Sequence, residues 1–148
     1  MKKKIEILTR FNKEENLPYY ASSGASGADV RANIEENVIL PSGESTLIPT
    51  GLFFSIPEGY EIQVRPRSGL AYKYQVTILN APGTIDSDYR GELKIILINH
   101  GKRDFVIEPG MRVAQIVVSP VIQACFTQAD CLVETVRGAG GFGHTGMQ

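Results

Sequence analysis

Cysteine and histidine are scarce in this chain of 148 residues, which holds only Cys125, Cys131, His100 and His144. The cysteines form no Cys-x-x-Cys pair and make no metal-ligand cluster with the histidines, so neither zinc nor redox chemistry is indicated. They read as two reduced, partly buried thiols of a cytosolic protein. Net charge is also nearly absent. A formal charge of -1 gives no general pull towards nucleic acid or an anionic membrane, so local clusters of Arg and Lys must hold any anionic ligand. Long apolar runs are missing as well, the stretch 95–98 being far too short to span a bilayer. Met1-Lys2-Lys3-Lys4 is basic as signal peptides are, but Glu6, Arg10 and Asn12 interrupt the apolar stretch behind it. A soluble, unexported, cytoplasmic protein without nucleic-acid or membrane partners is expected.

No amphipathic helix of three turns can be drawn. Only residues 68–73, after Pro66, combine helix-friendly composition with no β rhythm, and they support one or two turns. What is plentiful is punctuation: 15 Gly and 8 Pro separate short runs rich in Val, Ile, Leu, Phe and Tyr that alternate with period two. Strands are predicted at 4–8, 29–32, 37–40, 45–54, 60–64, 76–79, 93–99, 105–107 and 113–120, with a further one at 121–126. Turn signals between them include Pro41-Ser42-Gly43-Glu44, Pro57-Glu58-Gly59 and Glu108-Pro109-Gly110. Such an all-β chain, with at most one short helix, hides its edges as a sandwich, a jelly roll or a closed barrel. With 43% apolar residues, one domain over 1–148 is expected. It divides into a β core over 1–136 and a Gly-rich tail over 137–148, whose glycines cannot pack a core and predict a mobile segment.

Three segments stand out chemically. Asn80-Ala81-Pro82-Gly83-Thr84-Ile85-Asp86-Ser87-Asp88-Tyr89-Arg90-Gly91 lies between apolar strands. It can be a long β-hairpin, or a pocket whose backbone reads a flat ligand edge beside a carboxylate and a ring. Arg65-Pro66-Arg67-Ser68-Gly69 is either a helix N-cap flanked by solvated arginines or a site for an anion at a helix start. The tail carries Arg137, Phe142 and Thr145 among its glycines. It fits a lid that stacks Phe142 on a base while Arg137, Thr145 and the glycine backbone meet phosphate oxygens. Asp29, in Ala25-Ser26-Gly27-Ala28-Asp29-Val30, and Gln115, in Met111-Arg112-Val113-Ala114-Gln115, are quieter, and each is structural or functional on these grounds.

In order and residue type, these five segments resemble the five motifs of the trimeric dUTP pyrophosphatase family, from Ala25 to Gly146. The resemblance implies a β jelly roll, a homotrimer whose subunits share the active sites, and a Mg²⁺-dependent dUTP diphosphatase. Water would attack the α-phosphorus of dUTP, giving dUMP and pyrophosphate, limiting uracil in DNA and supplying dUMP for thymidylate synthesis. On matching positions, Asp86 would activate the water and Tyr89 would pack under the deoxyribose. Asn80, the backbone at Thr84 and Ile85, and Lys94 would face uracil. Arg67, Ser68, Gly69 and Gln115 would hold phosphates, and Arg137, Phe142, Gly143 and Thr145 would close the lid. Mg²⁺ would sit on the phosphates and water without a direct protein ligand, with Asp29 supporting that region indirectly. Two departures from the family pattern are His144, where Ser is commonest, and Met111, where Asp often stands. The resemblance also admits a dCTP deaminase, a relative with the same fold, and a catalytically idle nucleotide-binding protein.

Overall fold

Alternation along the strands places every second side chain on an inward face, and the computed structural model, which describes residues 4–146, follows it closely. Expectations for Met1, Lys2 and Lys3 and for the last two tail positions lie outside the described residues. In chain order the elements are β1 (Leu8–Phe11), a 3-10 turn (Glu14–Asn16), β2 (Ala28–Arg31), β3 (Val38–Leu40), β4 (Ser45–Ser55), β5 (Tyr60–Arg65) and α1 (Ser68–Tyr74). They continue with β6 (Val76–Ile78), β7 (Gly83–Ile85), β8 (Leu93–Asn99), β9 (Phe105–Ile107) and β10 (Arg112–Pro120). One four-stranded sheet runs β1-β4-β8-β6, a second runs β2-β10-β5-β7, and β3 pairs with β9. All pairings are antiparallel. This is the all-β, jelly-roll-like architecture expected, with one short helix.

The core lies where the inward residues meet, and Val30, Ile48, Leu52, Ile62, Leu93, Ile95, Leu97 and Ile107 are fully buried in it. Burying each such side chain stabilises the fold by about 1.5–3 kcal/mol relative to exposure. Asn99, a polar side chain fully buried beside them, is satisfied by its surroundings. Its Nδ2 donates to the Leu40 and Arg103 carbonyls at 3.0 and 2.8 Å, and its Oδ1 accepts from the Gly101 N–H at 2.9 Å. Asn99 thereby ties the β3–β9 ribbon to the end of β8.

A break in β4 matters for the site. The β4–β8 register shifts between Pro49 and Leu52, since Pro49 has no N–H to give the ladder. Thr50 Oγ1 donates to the Leu93 carbonyl at 2.6 Å and accepts from the Leu52 N–H at 3.2 Å, which satisfies the bulge. Gly51 holds the positive φ of 68° that the bulge requires.

Some expectations shift. The strand expected at 4–8 forms over Leu8–Phe11, because that is the stretch opposite Leu52–Ser55 of β4. The strand expected at 121–126 does not form. Its partner β5 begins at Tyr60, after the Pro57-Glu58-Gly59 turn, so past the bond from the Val121 N–H to the Gly59 carbonyl no strand remains to pair with. Residues 121–136 consequently run exposed beyond the sheets. Cys125 and Cys131 lie on this segment and are exposed, not partly buried as expected, because it runs past the sheets, where Ile122, Phe126 and Leu132 are exposed as well.

Candidate active site

The strand order β2-β10-β5 fixes one cluster. Gln115 of β10 faces Asp29 of β2 on one side and Arg65 of β5 on the other, so the ends of three strands meet. Just past β5, Arg67 turns back over them. Its Nε donates to Asp29 Oδ1 at 3.2 Å and its Nη1 to the Arg112 carbonyl at 3.3 Å. Arg112 Nη1 donates to the other Asp29 oxygen, Oδ2, at 3.0 Å and to Tyr19 Oη at 3.1 Å. The hydrogen bond to Asp29 is the largest cause holding the Arg112 guanidinium above its ordinary pKa, with electrostatic attraction to Tyr19 and Asp29 adding to it. Gln115 Nε2 donates to the Pro66 carbonyl at 2.9 Å, bracing the junction between β5 and α1. Gly27 lies beside it, and a Cβ there would displace the Gln115 amide from this position. Ser68 and Gly69 open α1, are exposed, and leave its first turn without a side-chain cap. This end of the sheet presents cationic and N–H donors suited to phosphate oxygens.

The hairpin forms a second cluster. A cis Ala81–Pro82 bond leads into β7, which pairs with Ile62–Val64 of β5. Gly83 is buried against Val64 and lets the Asn80 amide come close. Beyond β7 the Tyr89 N–H donates to the Asp86 carbonyl at 3.2 Å, closing a turn. Tyr89 folds back so that its ring lies over Gly91, where any Cβ would collide with it, and its Oη donates to the Glu92 carbonyl at 3.0 Å. Glu92 Oε1 in turn accepts from the Gly51 N–H at 2.9 Å, anchoring the hairpin to the β4 bulge, while Oε2 lies 4.0 Å from Lys94 Nζ. Arg90 Nη1 donates to the Ser87 and Tyr89 carbonyls at 2.6 and 3.0 Å and stiffens the tip. Within this brace the Asp86 carboxylate is exposed and has no hydrogen-bond or ion-pair partner among the described residues. Thr84 is exposed and Ile85 half-buried beside it.

Within one chain the Asp86 end of the hairpin is remote from Arg67. β7 runs antiparallel to β5 with Gly83 opposite Val64 and Ile85 opposite Ile62, so Asp86 emerges near Glu61. Arg67 lies beyond the other end of β5, up to about 20 Å away at ~3.3 Å per residue. The tail is a third, separate part. Arg137 Nε donates to the Gly140 carbonyl at 2.8 Å, Gly143 has a φ of 85°, and Gly140 sits against the His144 ring. Phe142 and Thr145 are exposed.

The sequence-predicted residues therefore fall into three groups: Asp29, Arg67, Ser68, Gly69 and Gln115; Asn80, Thr84, Ile85, Asp86, Tyr89 and Lys94; and Arg137, Phe142, Gly143 and Thr145. Sequence reasoning passed over Arg112, Glu92 and Tyr19. Arg112 and Glu92 had a signal, since each sits inside or beside a segment already singled out. Tyr19 had none, because its tie to Asp29 is an isolated β-bridge across the fold.

The dUTPase family model matches residues 13–146. A protein of Chlamydia pneumoniae named deoxyuridine 5'-triphosphate nucleotidohydrolase is 63% identical over 131 residues, covering 88% of this chain and 90% of its own. Another of that name from Chlamydia caviae is 55% identical over 145 residues, covering 96% of this chain and 99% of its own. Among solved structures, Staphylococcus bacteriophage 80alpha dUTPase with dUpNHpp aligns at a TM-score of 0.84 and 25% identity, over 95% of this chain and 98% of that one. A mutant dUTPase from phage phi11 of S. aureus, described with a structural Mg(II) ion, aligns at 0.74 and 24% identity, over 85% and 97%.

Proposed function

This chain belongs to the dUTPase family, and on that premise we infer that it hydrolyses dUTP to dUMP and pyrophosphate, acting on the cytoplasmic nucleotide pool. The observation that carries the chemistry is the unpartnered Asp86 carboxylate on a hairpin braced by Tyr89, Arg90 and Glu92. A carboxylate without a competing donor is free to accept a proton from water, and a fixed hairpin holds it in place at little reorganisation cost. Asp86 orients a water in line with the α-phosphorus. As the new O–P bond forms, Asp86 takes the proton, the bond to the β-phosphate's bridging oxygen breaks, and pyrophosphate leaves with that electron pair. The proton then passes to solvent.

Tyr89, pinned over Gly91, offers a flat wall for deoxyribose and leaves no room for a 2'-hydroxyl. Asn80, the backbone at Thr84 and Ile85, and Lys94 face the base. Uracil and cytosine exchange donors and acceptors on one edge, so the wrong base leaves buried groups unpaired and is strongly disfavoured. Arg67, Ser68, Gly69 and Gln115 hold the phosphates, and Arg137, Phe142, Gly143 and Thr145 close over them.

Among the described residues no three His, Cys, Asp or Glu side chains gather where they could cage a metal. Mg²⁺ keeps several waters and binds through substrate phosphates rather than dedicated protein cages, so the triphosphate itself supplies its ligands. When bound, Mg²⁺ would neutralise phosphate charge, held by the triphosphate and water, with Asp29 contributing only by setting Arg67.

Two features support a site shared within a homotrimer. Asp86 and Arg67 lie towards opposite ends of β5, up to about 20 Å apart in one chain, whereas a carboxylate acting at the α-phosphorus must sit beside the groups that hold the phosphates. Ile122, Phe126, Leu132, Val133 and Val136 are exposed along the segment leading to the lid, and so many apolar side chains on one arm favour cover by a neighbouring copy.

The reaction is checked by turnover with Mg²⁺ in ¹⁸O-labelled water. The expected outcome is label on the dUMP phosphate and none in pyrophosphate. Label in pyrophosphate would place the attack on the β-phosphorus, and ammonia from dCTP without pyrophosphate would favour the deaminase.

A further inference from the structure

Arg112 has no role in the chemistry described above, yet it reaches Arg67 directly through its carbonyl and indirectly through Asp29. A bulge lies between Arg112 and Ala114, where the β10–β2 register shifts. Arg67 Nη1 donates to the Arg112 carbonyl at this bulge, while the Arg112 side chain takes the Asp29 oxygen that Arg67 leaves free. The carboxylate is thus shared between two guanidinium groups, and its orientation is set by both. Asp29 is only 13% exposed at its side chain, and Arg67 is 26% exposed, so water screens these contacts less than it would at an open surface.

Tyr19 holds the far side of the arrangement. Its carbonyl accepts from the Asp29 N–H at 2.9 Å, its Oη accepts from Arg112, and its ring lies 5.7 Å beneath the Arg31 guanidinium. Arg31 is fixed in turn by donating to the Gly110 carbonyl at 2.9 Å. The chain of contacts runs Arg31, Tyr19, Arg112, Asp29, Arg67, and only its last member stands beside the exposed Ser68–Gly69 turn.

We infer that Arg112, steadied by Tyr19, is a positioning residue that aims Arg67 at the triphosphate. This rests on the reading of the site as a dUTP site. Arg67 is left with guanidinium donors beyond those committed to Asp29 and the Arg112 carbonyl, and these reach a phosphate in a useful geometry only if the committed ones hold the group still. Losing Arg112 leaves the charge of Arg67 in place and removes its aim.

The test is a double-mutant cycle read on binding of dUpNHpp and on steady-state kinetics with dUTP. Arg112→Gln should raise KM about tenfold or more while changing kcat far less, the pattern of lost uniform binding. Inhibition by deoxyuridine, which has no phosphates, should be unchanged. In an Arg67→Gln background, Arg112→Gln should add little, because it acts through Arg67. Tyr19→Phe, which removes only the Oη, should shift KM in the same direction by less, and it serves where Arg112→Gln folds poorly. Additive losses in the cycle, weakened deoxyuridine inhibition, or an unchanged KM would overturn the inference. A wild-type protein that neither binds dUpNHpp nor turns over dUTP would instead overturn the underlying reading.

Discussion

Asp86→Asn lowers dUTP turnover by about 10²–10⁴-fold, the range expected for removal of a general base, while dUTP binding stays nearly intact. Asn keeps the shape of Asp and cannot take the proton. The carboxylate makes no described contact that holds the hairpin, whose bracing comes from Tyr89, Arg90 and Glu92. The variant should therefore melt like the wild type, and a loss of turnover cannot be assigned to unfolding. Asp88 is also exposed two positions on, so Asp88→Asn is the matched control and should retain most activity. Full turnover in Asp86→Asn would remove Asp86 from the reaction.

A chain ending at Val136 should keep its fold and lose on the order of 10²-fold or more in kcat/KM. Hydrogen bonds from a charged group contribute about 1.5–3 kcal/mol each. Stacking of a base on an aromatic ring contributes about 1–3 kcal/mol. The truncation removes Arg137 and Phe142 together, and the entropy spent in ordering a Gly-rich lid offsets part of what they contribute. Because Phe142 and its neighbours stand exposed away from the sheets, thermal unfolding should be almost unaffected. Wild-type kcat/KM in the truncated chain would show that the tail does not close over substrate.

The fold was legible where period-two alternation met turn residues. Leu93, Ile95 and Leu97 announce β8 by their spacing, and Pro57-Glu58-Gly59 marks where β5 must begin. The segment 121–126 has the same strand-like composition, and it misled because strand formation needs a partner that composition does not supply; the start of β5 decides it. Cys125 and Cys131 were misjudged for the same reason. Of the candidate site, Asp86, Tyr89 and Arg67 stand out because each sits in a short segment crowded with unusual residues, whereas Asp29 enters only through the family resemblance. That Asp29 is shared between Arg67 and Arg112, or that Tyr19 latches onto both Asp29 and Arg112, depends on β2–β10 pairing and on contacts far apart in the chain. The distance between Asp86 and Arg67 was also hidden, since it follows from the antiparallel register of β5 and β7.

That distance leads to the most direct test. If the catalytic carboxylate and the phosphate grip come from different chains, then Asp86→Asn and Arg67→Gln proteins, each nearly inactive alone, should complement one another when produced together. Random mixing in a trimer would pair an intact Asp86 with an intact Arg67 at about a quarter of the sites, and turnover of dUTP should return to that fraction. Co-produced variants that form mixed trimers and remain as inactive as either parent would contradict a site built between chains.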